Sequence, residues 1–177
     1  MRKSFLFKCI PLLAILSISH VSCKDGSTDN NDTVSNHGQF VIAESDINLL
    51  DYTDYALSDL SLNATKDWLK FQELQSEIDI LKKGDTSFFR EDDQIVTSFI
   101  SDLKNEIPEA LKLPQINARL IVIETVLMQL KELSTYPQTT KPQLLEAIKK
   151  LLVANSNLVL QMNKKFEKDS QKIIKPN

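Results

Sequence analysis

Two pairs of acidic side chains are the residues in this sequence whose spacing could support chemistry. Glu73 precedes Glu77 by four positions, and Asp102 precedes Glu106 by four positions. Four positions make about one helical turn, so each pair would share a helical face. Two such carboxyl groups could act as general acid and base in a hydrolase, or bind a hard cation such as Ca²⁺. The same spacing also arises on solvated helix faces, so we predict no catalytic residue and no metal site, and keep a carboxylate-based hydrolase as an alternative.

Few other reactive side chains occur beyond residue 38. Both histidines, His20 and His37, and both cysteines, Cys9 and Cys23, precede that point. Nucleophile systems with a histidine, thiolate or imidazole zinc sites and Glu-x-x-His di-iron sites all need those residue types. The chain also has only three glycines, which are too far apart for a phosphate-binding loop. We therefore predict that the protein is not an enzyme and carries no cofactor.

The first 22 residues have the pattern of a secretion signal. Arg2, Lys3 and Lys8 form a basic start, and the run from Cys9 to Val21 is uncharged and apolar or small. A membrane-spanning helix needs about 20 apolar residues, which is more than this run provides. We expect residues 1–22 to be removed as a signal peptide.

The signal ends in the sequence His20-Val21-Ser22-Cys23. This ending resembles the bacterial lipobox, in which a small residue precedes a cysteine that is acylated and becomes the mature N-terminus. The resemblance implies a lipoprotein that carries two fatty acyl chains, such as palmitate, on Cys23, and two chains are enough for stable membrane anchoring. The alternative is ordinary signal peptidase cleavage, which would leave Cys23 as a free thiol.

The residues after Cys23 are polar and acidic. Lys24-Asp25, followed by Asp29 and Asp32, resembles the export signals of surface lipoproteins of the Bacteroidota. The resemblance implies an extracytoplasmic protein at the outer membrane that faces the periplasm or the cell surface. Residues 23–38 contain too little apolar surface to offset the entropy of ordering, so we predict a lipidated cysteine followed by a disordered tether.

The charge of the chain restricts its partners. The whole chain has a formal net charge of −3, and loss of three cations with the signal leaves −6. A net negative protein is repelled by phosphate backbones, so we expect no nucleic acid partner. Residues 23–113 carry a net −11 and residues 114–177 a net +5, which predicts attraction between the two halves of the domain rather than a docking patch. The expected partners are the membrane, through the lipid on Cys23, and a protein of unknown identity.

Residues 39–177 have the composition and the apolar periodicity of an all-α domain. Apolar stripes predict four long helices, with the first over Ser58–Lys83 and the third over Pro114–Leu133. Gly84 should end the first helix, Pro108 the second, and Thr140 should cap the last. We predict an antiparallel four-helix bundle with an N-terminal arm or short extra helix.

The third predicted helix is apolar around an unusually large part of its circumference. The stripe that faces the core is widened by four further residues: Ile121, Val122, Val126 and Met128. This helix is either central and covered by the arm, which we prefer, or it exposes a patch that needs a partner. The sequence is therefore typical of a non-catalytic, lipid-anchored binding or scaffolding module. A carrier that holds an apolar small molecule inside the bundle is the second hypothesis.

Overall fold

Six α-helices and two 3₁₀ turns form the part of the chain that the computed structural model describes, residues 40–171, and this part contains no β-strand. The predicted all-α class is confirmed. The predicted signal, Cys23 and the tether lie outside the described residues. The helices are α1 (Glu44–Asn48), α2 (Asp59–Thr65), α3 (Leu69–Lys82), α4 (Asp93–Asn105), α5 (Pro114–Thr135) and α6 (Lys141–Ser170), with 3₁₀ turns at Ser87–Arg90 and Glu109–Leu111.

Local sequence signals set several helix ends where they were predicted. Gly84 follows α3 with a φ of 92°, a left-handed conformation that glycine adopts without steric cost. The second predicted helix ends before Pro108. The backbone N–H of Thr140 donates to Oε1 of Gln143 at 2.8 Å, which completes a capping box at the start of α6.

The predicted continuous helix over Ser58–Lys83 is wrong, because the chain leaves the helical path between α2 and α3. Trp68 lies at this break with a ψ of 80°, and its side chain is 0% exposed. The indole ring stacks on Phe71 with the ring centroids 5.1 Å apart, and its Nε1–H donates to the carbonyl of Leu103 at 3.0 Å. Burial of the indole and this long-range hydrogen bond favour the break over helical continuity.

The second predicted helix starts later than its capping signals suggest. Instead of a cap at Asp85 or Ser87, a 3₁₀ turn over Ser87–Arg90 precedes α4. The carboxylate of Asp92 caps α4 by accepting the backbone N–H of Gln94 at 2.8 Å. The turn places two phenylalanine side chains against the core before the helix begins.

The central helix is α6 rather than α5. No residue from 151 to 162 is exposed, although this stretch includes the polar Asn155 and Ser156. α5 packs along α6, and α1 and α2 also contact it. Asn155 forms reciprocal amide hydrogen bonds with Gln75 of α3, at 2.9 and 3.3 Å. The buried amide that the sequence placed on the α6 stripe therefore has a specific partner, as buried polar groups require.

Among the described residues, three ion pairs join the two halves of the domain, and one of them, Lys104 with Glu124, has its cation in the first half. The other two have the polarity that the charge distribution predicts. Lys141 at the start of α6 lies 2.7 Å from Asp46 of α1. Lys131 of α5 pairs with Asp93 of α4, and the Lys131 side chain is only 8% exposed. Both pairs join a carboxylate of the first half to an ammonium group of the second half.

No helix within residues 40–171 is long and apolar enough to cross a membrane.

Candidate functional site

The outward side of α5 carries no charged residue over about three turns. The residues that share this side, here called the α5 face, are Ala118, Ile121, Val122, Thr125, Met128 and Gln129. At 100° per residue they lie opposite the buried stripe of the same helix, and Arg119 and Glu124 lie on the two flanks between face and stripe. Eleven positions of helix give the face a length of about 16 Å.

The three large apolar side chains of the face are in solvent. Ile121 is 54% exposed, Val122 is 42% exposed and Met128 is 38% exposed. Val126, the fourth residue singled out from the sequence, is half-buried and packs against the core. The hydroxyl group of Thr125 already donates a hydrogen bond to the Ile121 carbonyl at 2.9 Å, so its proton is not available to a binding partner. The face is therefore a narrow uncharged strip on which three large apolar side chains are exposed.

The N-terminal arm does not cover this strip. Ile42 and Ile47 of the arm are buried, but α1 contacts α3 and α6, and the backbone of Tyr55 bonds to Ser156 of α6. The arm therefore packs against α6, whereas we preferred the interpretation in which it covers α5. The second possibility, an exposed patch on α5, is what the described residues show.

A groove of about 670 Å³ opens at the C-terminal end of the α5 face. It is lined by Asp93, Thr125, Met128, Gln129, Lys131, Glu132 and Thr135. The paired Asp93 and Lys131 and the exposed Glu132 make this end polar and negative on balance. Such a lining can hydrogen-bond to the polar end of a peptide.

The predicted acidic pairs meet a lysine where α3 starts and α4 ends. Lys70 Nζ lies 2.7 Å from the Glu73 carboxylate, and the Lys70 backbone N–H donates to Glu106 at 3.3 Å. The hydrogen bond that Lys70 donates to Glu73, together with the negative charges of Glu73, Asp102 and Glu106, raises the pKa of Lys70. The lysine stays charged and neutralises the carboxylates around it, an arrangement typical of a surface ion-pair cluster.

Glu77 of the first acidic pair is partly buried on α3. Burial raises its pKa, and the charges of Glu73 and Asp85 raise it further. The described residues contain no group of three or more acidic, histidine or cysteine side chains that could hold a metal ion.

We expect Glu77→Gln to stabilise the protein at pH 7. The folded-state pKa of Glu77 is above the ordinary value of a glutamate side chain, so the folded state favours the protonated form. Its contribution to stability is full below the unfolded-state pKa and is lost as the pH rises through the folded-state pKa. Removing the charge should raise the free energy of unfolding by about 0.5 kcal/mol at pH 7. Urea denaturation at pH 4 and at pH 7 measures this, and the gain should vanish at the lower pH.

Glu73→Gln is the matched control, since it removes the same charge from a carboxylate that is paired with Lys70 at 2.7 Å. It should leave stability unchanged or slightly lower at pH 7. If both variants raised the free energy of unfolding equally, the cause would be the lower net negative charge of the protein and not the burial of Glu77.

Sequence reasoning missed two polar residues of α6 that contact the arm. Ser156 and Asn163 hydrogen-bond to the backbone of the segment that precedes α2. The sequence drew attention to Asn155 because an amide on an apolar stripe is conspicuous. Asn163 and Ser156 gave no such signal, since polar residues are common on one side of a helix.

Comparisons of the chain with protein-family models, with curated proteins and with solved structures find no significant match. The function must therefore be argued from the residues of this chain.

Proposed function

We propose that this chain is a non-catalytic, lipid-anchored, extracytoplasmic module that binds a protein partner through the α5 face. In this proposal α3, α4, α5 and α6 form an antiparallel four-helix bundle, preceded by the arm. Residues 1–22 would be the signal, Cys23 the lipidated residue and residues 23–38 the tether that holds the bundle away from the membrane. The contacts of α3 with α4, α4 with α5 and α5 with α6 support the bundle arrangement.

The exposed apolar strip on α5 is the observation that carries the binding proposal. On α6, by contrast, the exposed residues Glu146 and Lys150 are charged. Charged side chains keep the solvent-facing side of a helix soluble at little energetic cost. A strip that replaces them with Ile121, Val122 and Met128 is typical of a surface that is covered in a complex.

The shape of the strip favours an amphipathic helix as the partner element. The strip is one helix wide and about three turns long, which matches the apolar side of a helix that lies along it. Its two ends differ in charge, with Arg119 near the N-terminal end and Glu132 near the C-terminal end. A partner helix would lie with an acidic residue near Arg119 and a basic residue near Glu132.

Site-specific photo-crosslinking tests the proposal in cells of the source organism. A photoreactive residue at Thr125, in the middle of the α5 face, should form an adduct with a discrete partner protein. The control position is Ser76, which is exposed on α3 and has no side-chain hydrogen bond within the described residues. Adducts that form equally well from both positions, or from neither, would contradict the proposed surface.

We expect Val122→Lys to abolish this adduct. A charge in the centre of an apolar contact costs at least about 1.4 kcal/mol, so the affinity should fall at least about tenfold. Because Val122 is 42% exposed in the free protein, the melting temperature should change by less than about 2 °C. Ser76→Lys adds the same charge on α3 and should leave the Thr125 adduct intact.

A further inference from the structure

The two most exposed large apolar side chains of the described residues both lie on the N-terminal arm. Leu49 is 86% exposed and Val41 is 78% exposed. They flank α1, a helix of five residues, so they are close together in the chain. A single exposed apolar side chain needs no explanation, but two on so short an element place an apolar surface on the arm.

The arm is held firmly enough to present these side chains in one orientation. Ile42 and Ile47 of the same segment are buried in the core. Asp46 lies 2.7 Å from Lys141 of α6, and Gly84 lets the carbonyl of Ile42 approach more closely than a Cβ would allow. Burial of one side of the arm therefore fixes which side remains in solvent.

The arm follows the segment that the proposed function assigns to the tether. That segment, residues 23–38, has 16 residues, and a flexible chain of this length spans about 20–24 Å. A tether limits how far the arm can move from the membrane, but it does not prevent contact. Any contact would be intramolecular once Cys23 is lipidated, and short flexible linkers give effective concentrations on the order of millimolar.

α2 lies far from the arm along α6. α1 contacts α6 at Lys141, whereas the segment before α2 contacts it at Asn163. These two positions are 22 residues apart, which is about 33 Å along the helix. Leu60 and Leu62 of α2, which are 55% and 52% exposed, therefore lie farther from the arm than the tether spans. They provide a matched pair of exposed apolar side chains at a distance from the arm.

The charge of the arm decides what kind of lipid surface it can meet. Residues 40–65 contain no lysine or arginine. Asp46 is paired with Lys141, but Glu44 and Asp51 are exposed acids in the same segment as the two apolar side chains. Anionic lipid head groups would repel these acids, whereas zwitterionic head groups carry no net charge. The arm is therefore suited to a neutral phospholipid surface.

We propose that the arm docks on the membrane to which Cys23 is anchored, with Val41 and Leu49 inserted among zwitterionic phospholipid head groups. The inference rests on the proposed lipid anchor. Apolar side chains of interfacial elements reach about 5–10 Å into the boundary between head groups and acyl chains. Two side chains are too few to hold a free protein there, because association costs translational and rotational freedom. The anchor has already restricted that freedom, so two side chains suffice.

Docking of the arm is compatible with the rest of the proposed module. The arm lies between the tether and α3 in the chain, so the bundle stays in solution behind it. α1 packs on α3 and α6, so the α5 face stays open to a protein partner. A docked arm restricts the orientations of the α5 face, which reduces the freedom that is lost when the partner binds.

Quenching by brominated lipid tests the inference in the acylated protein purified from its native host. Ser45 is exposed in α1, four positions from each of the two side chains, so Ser45→Trp places an indole near them. The variant is reconstituted into phosphatidylcholine vesicles with or without bromine on the acyl chains near the head groups. Bromine quenches indole fluorescence only at short range, so the brominated lipid should lower the added fluorescence at least about twofold. Trp68 is 0% exposed and supplies the background, which is measured with the unmodified protein.

Two double variants of the Ser45→Trp protein separate the arm from the rest of the surface. V41S/L49S removes the apolar side chains of the arm and should abolish the quenching. L60S/L62S removes two apolar side chains from α2 and should leave the quenching unchanged. All four residues are at least half exposed, so neither double variant should lower the melting temperature by more than about 2 °C.

Flotation of the vesicles distinguishes docking of the arm from anchoring by lipid. Protein that floats with the vesicles but shows no quenching, or loses it equally in both double variants, would overturn the docking and leave the lipid anchor in place. Protein that does not float would overturn the anchor and the docking with it. Quenching that increased when the anionic lipid phosphatidylglycerol was added would contradict docking on a neutral surface.

Discussion

Replacing Trp68 with alanine should lower the free energy of unfolding by about 3–5 kcal/mol. The indole is 0% exposed, stacks on Phe71 and fills the space between the start of α3 and the end of α4. The shortened side chain would leave a cavity that the helices on either side can only partly close. Urea denaturation followed by circular dichroism at 222 nm measures the change.

Trp68→Phe separates the packing of this residue from its hydrogen bond. It keeps most of the aromatic volume but leaves the Leu103 carbonyl, near the end of α4, without the donor that lies 3.0 Å away. An unpaired buried carbonyl costs about 1–3 kcal/mol, so this variant should be clearly less stable than the unmodified protein but more stable than W68A. If W68F cost nothing, the indole N–H would not be what positions Trp68 at the break.

Gly84→Ala should lower the free energy of unfolding by about 2–4 kcal/mol. At a φ of 92° a side chain costs about 1–2 kcal/mol. A Cβ at this position would also lie 2.5 Å from the carbonyl oxygen of Ile42, so the arm would have to move, at a further cost of about 1–3 kcal/mol. Urea denaturation gives the total, and hydrogen exchange should show faster exchange in α1 with little change in α5.

Gly84→Asn tests which of the two costs dominates, since asparagine tolerates a positive φ better than alanine but adds the same Cβ. If contact with Ile42 dominates, hydrogen exchange in α1 should be faster in both variants than in the unmodified protein. If α1 exchanged at the unmodified rate in G84A, the close approach of the arm to Gly84 would not be holding the arm in place.

The helix ends that depend on local chemistry could be predicted from the sequence. Glycine after a lysine pair, proline after an apolar stripe and a threonine three residues before a glutamine each act within one turn. Gly84, Pro108 and Thr140 therefore mark the boundaries that the structure shows. The break at Trp68 could not be predicted, because it depends on a carbonyl 35 residues away.

Which helix is central also could not be read from composition. α5 has the wider apolar surface, but α6 is the helix without an exposed residue from 151 to 162. Residues 151–162 of α6 can be covered because the partners of its polar residues, such as Gln75 for Asn155, come from distant parts of the chain. Periodicity identifies apolar faces and does not show which polar residues will find such partners.

The residues of the α5 face could be named from the sequence, but their exposure could not. The wide apolar surface of the third predicted helix singled out Ile121, Val122 and Met128. The same pattern is expected whether the arm covers these residues or they are exposed to solvent. Ser156 and Asn163 decide between them, because they bind the backbone of the segment before α2 to α6, the other helix of the α5–α6 pair. A contact between two side chains and a backbone leaves no periodic signal.

In the proposed module a lipid on Cys23 would determine where the α5 face meets its partner. The intact mass of the protein purified from its native host tests this directly. We expect a chain that begins at Cys23 and carries the added mass of at least two acyl chains, and Cys23→Ser should move the protein out of the membrane fraction. A chain that begins at Met1, or at any other residue without lipid mass, would contradict the proposed lipid-anchored module.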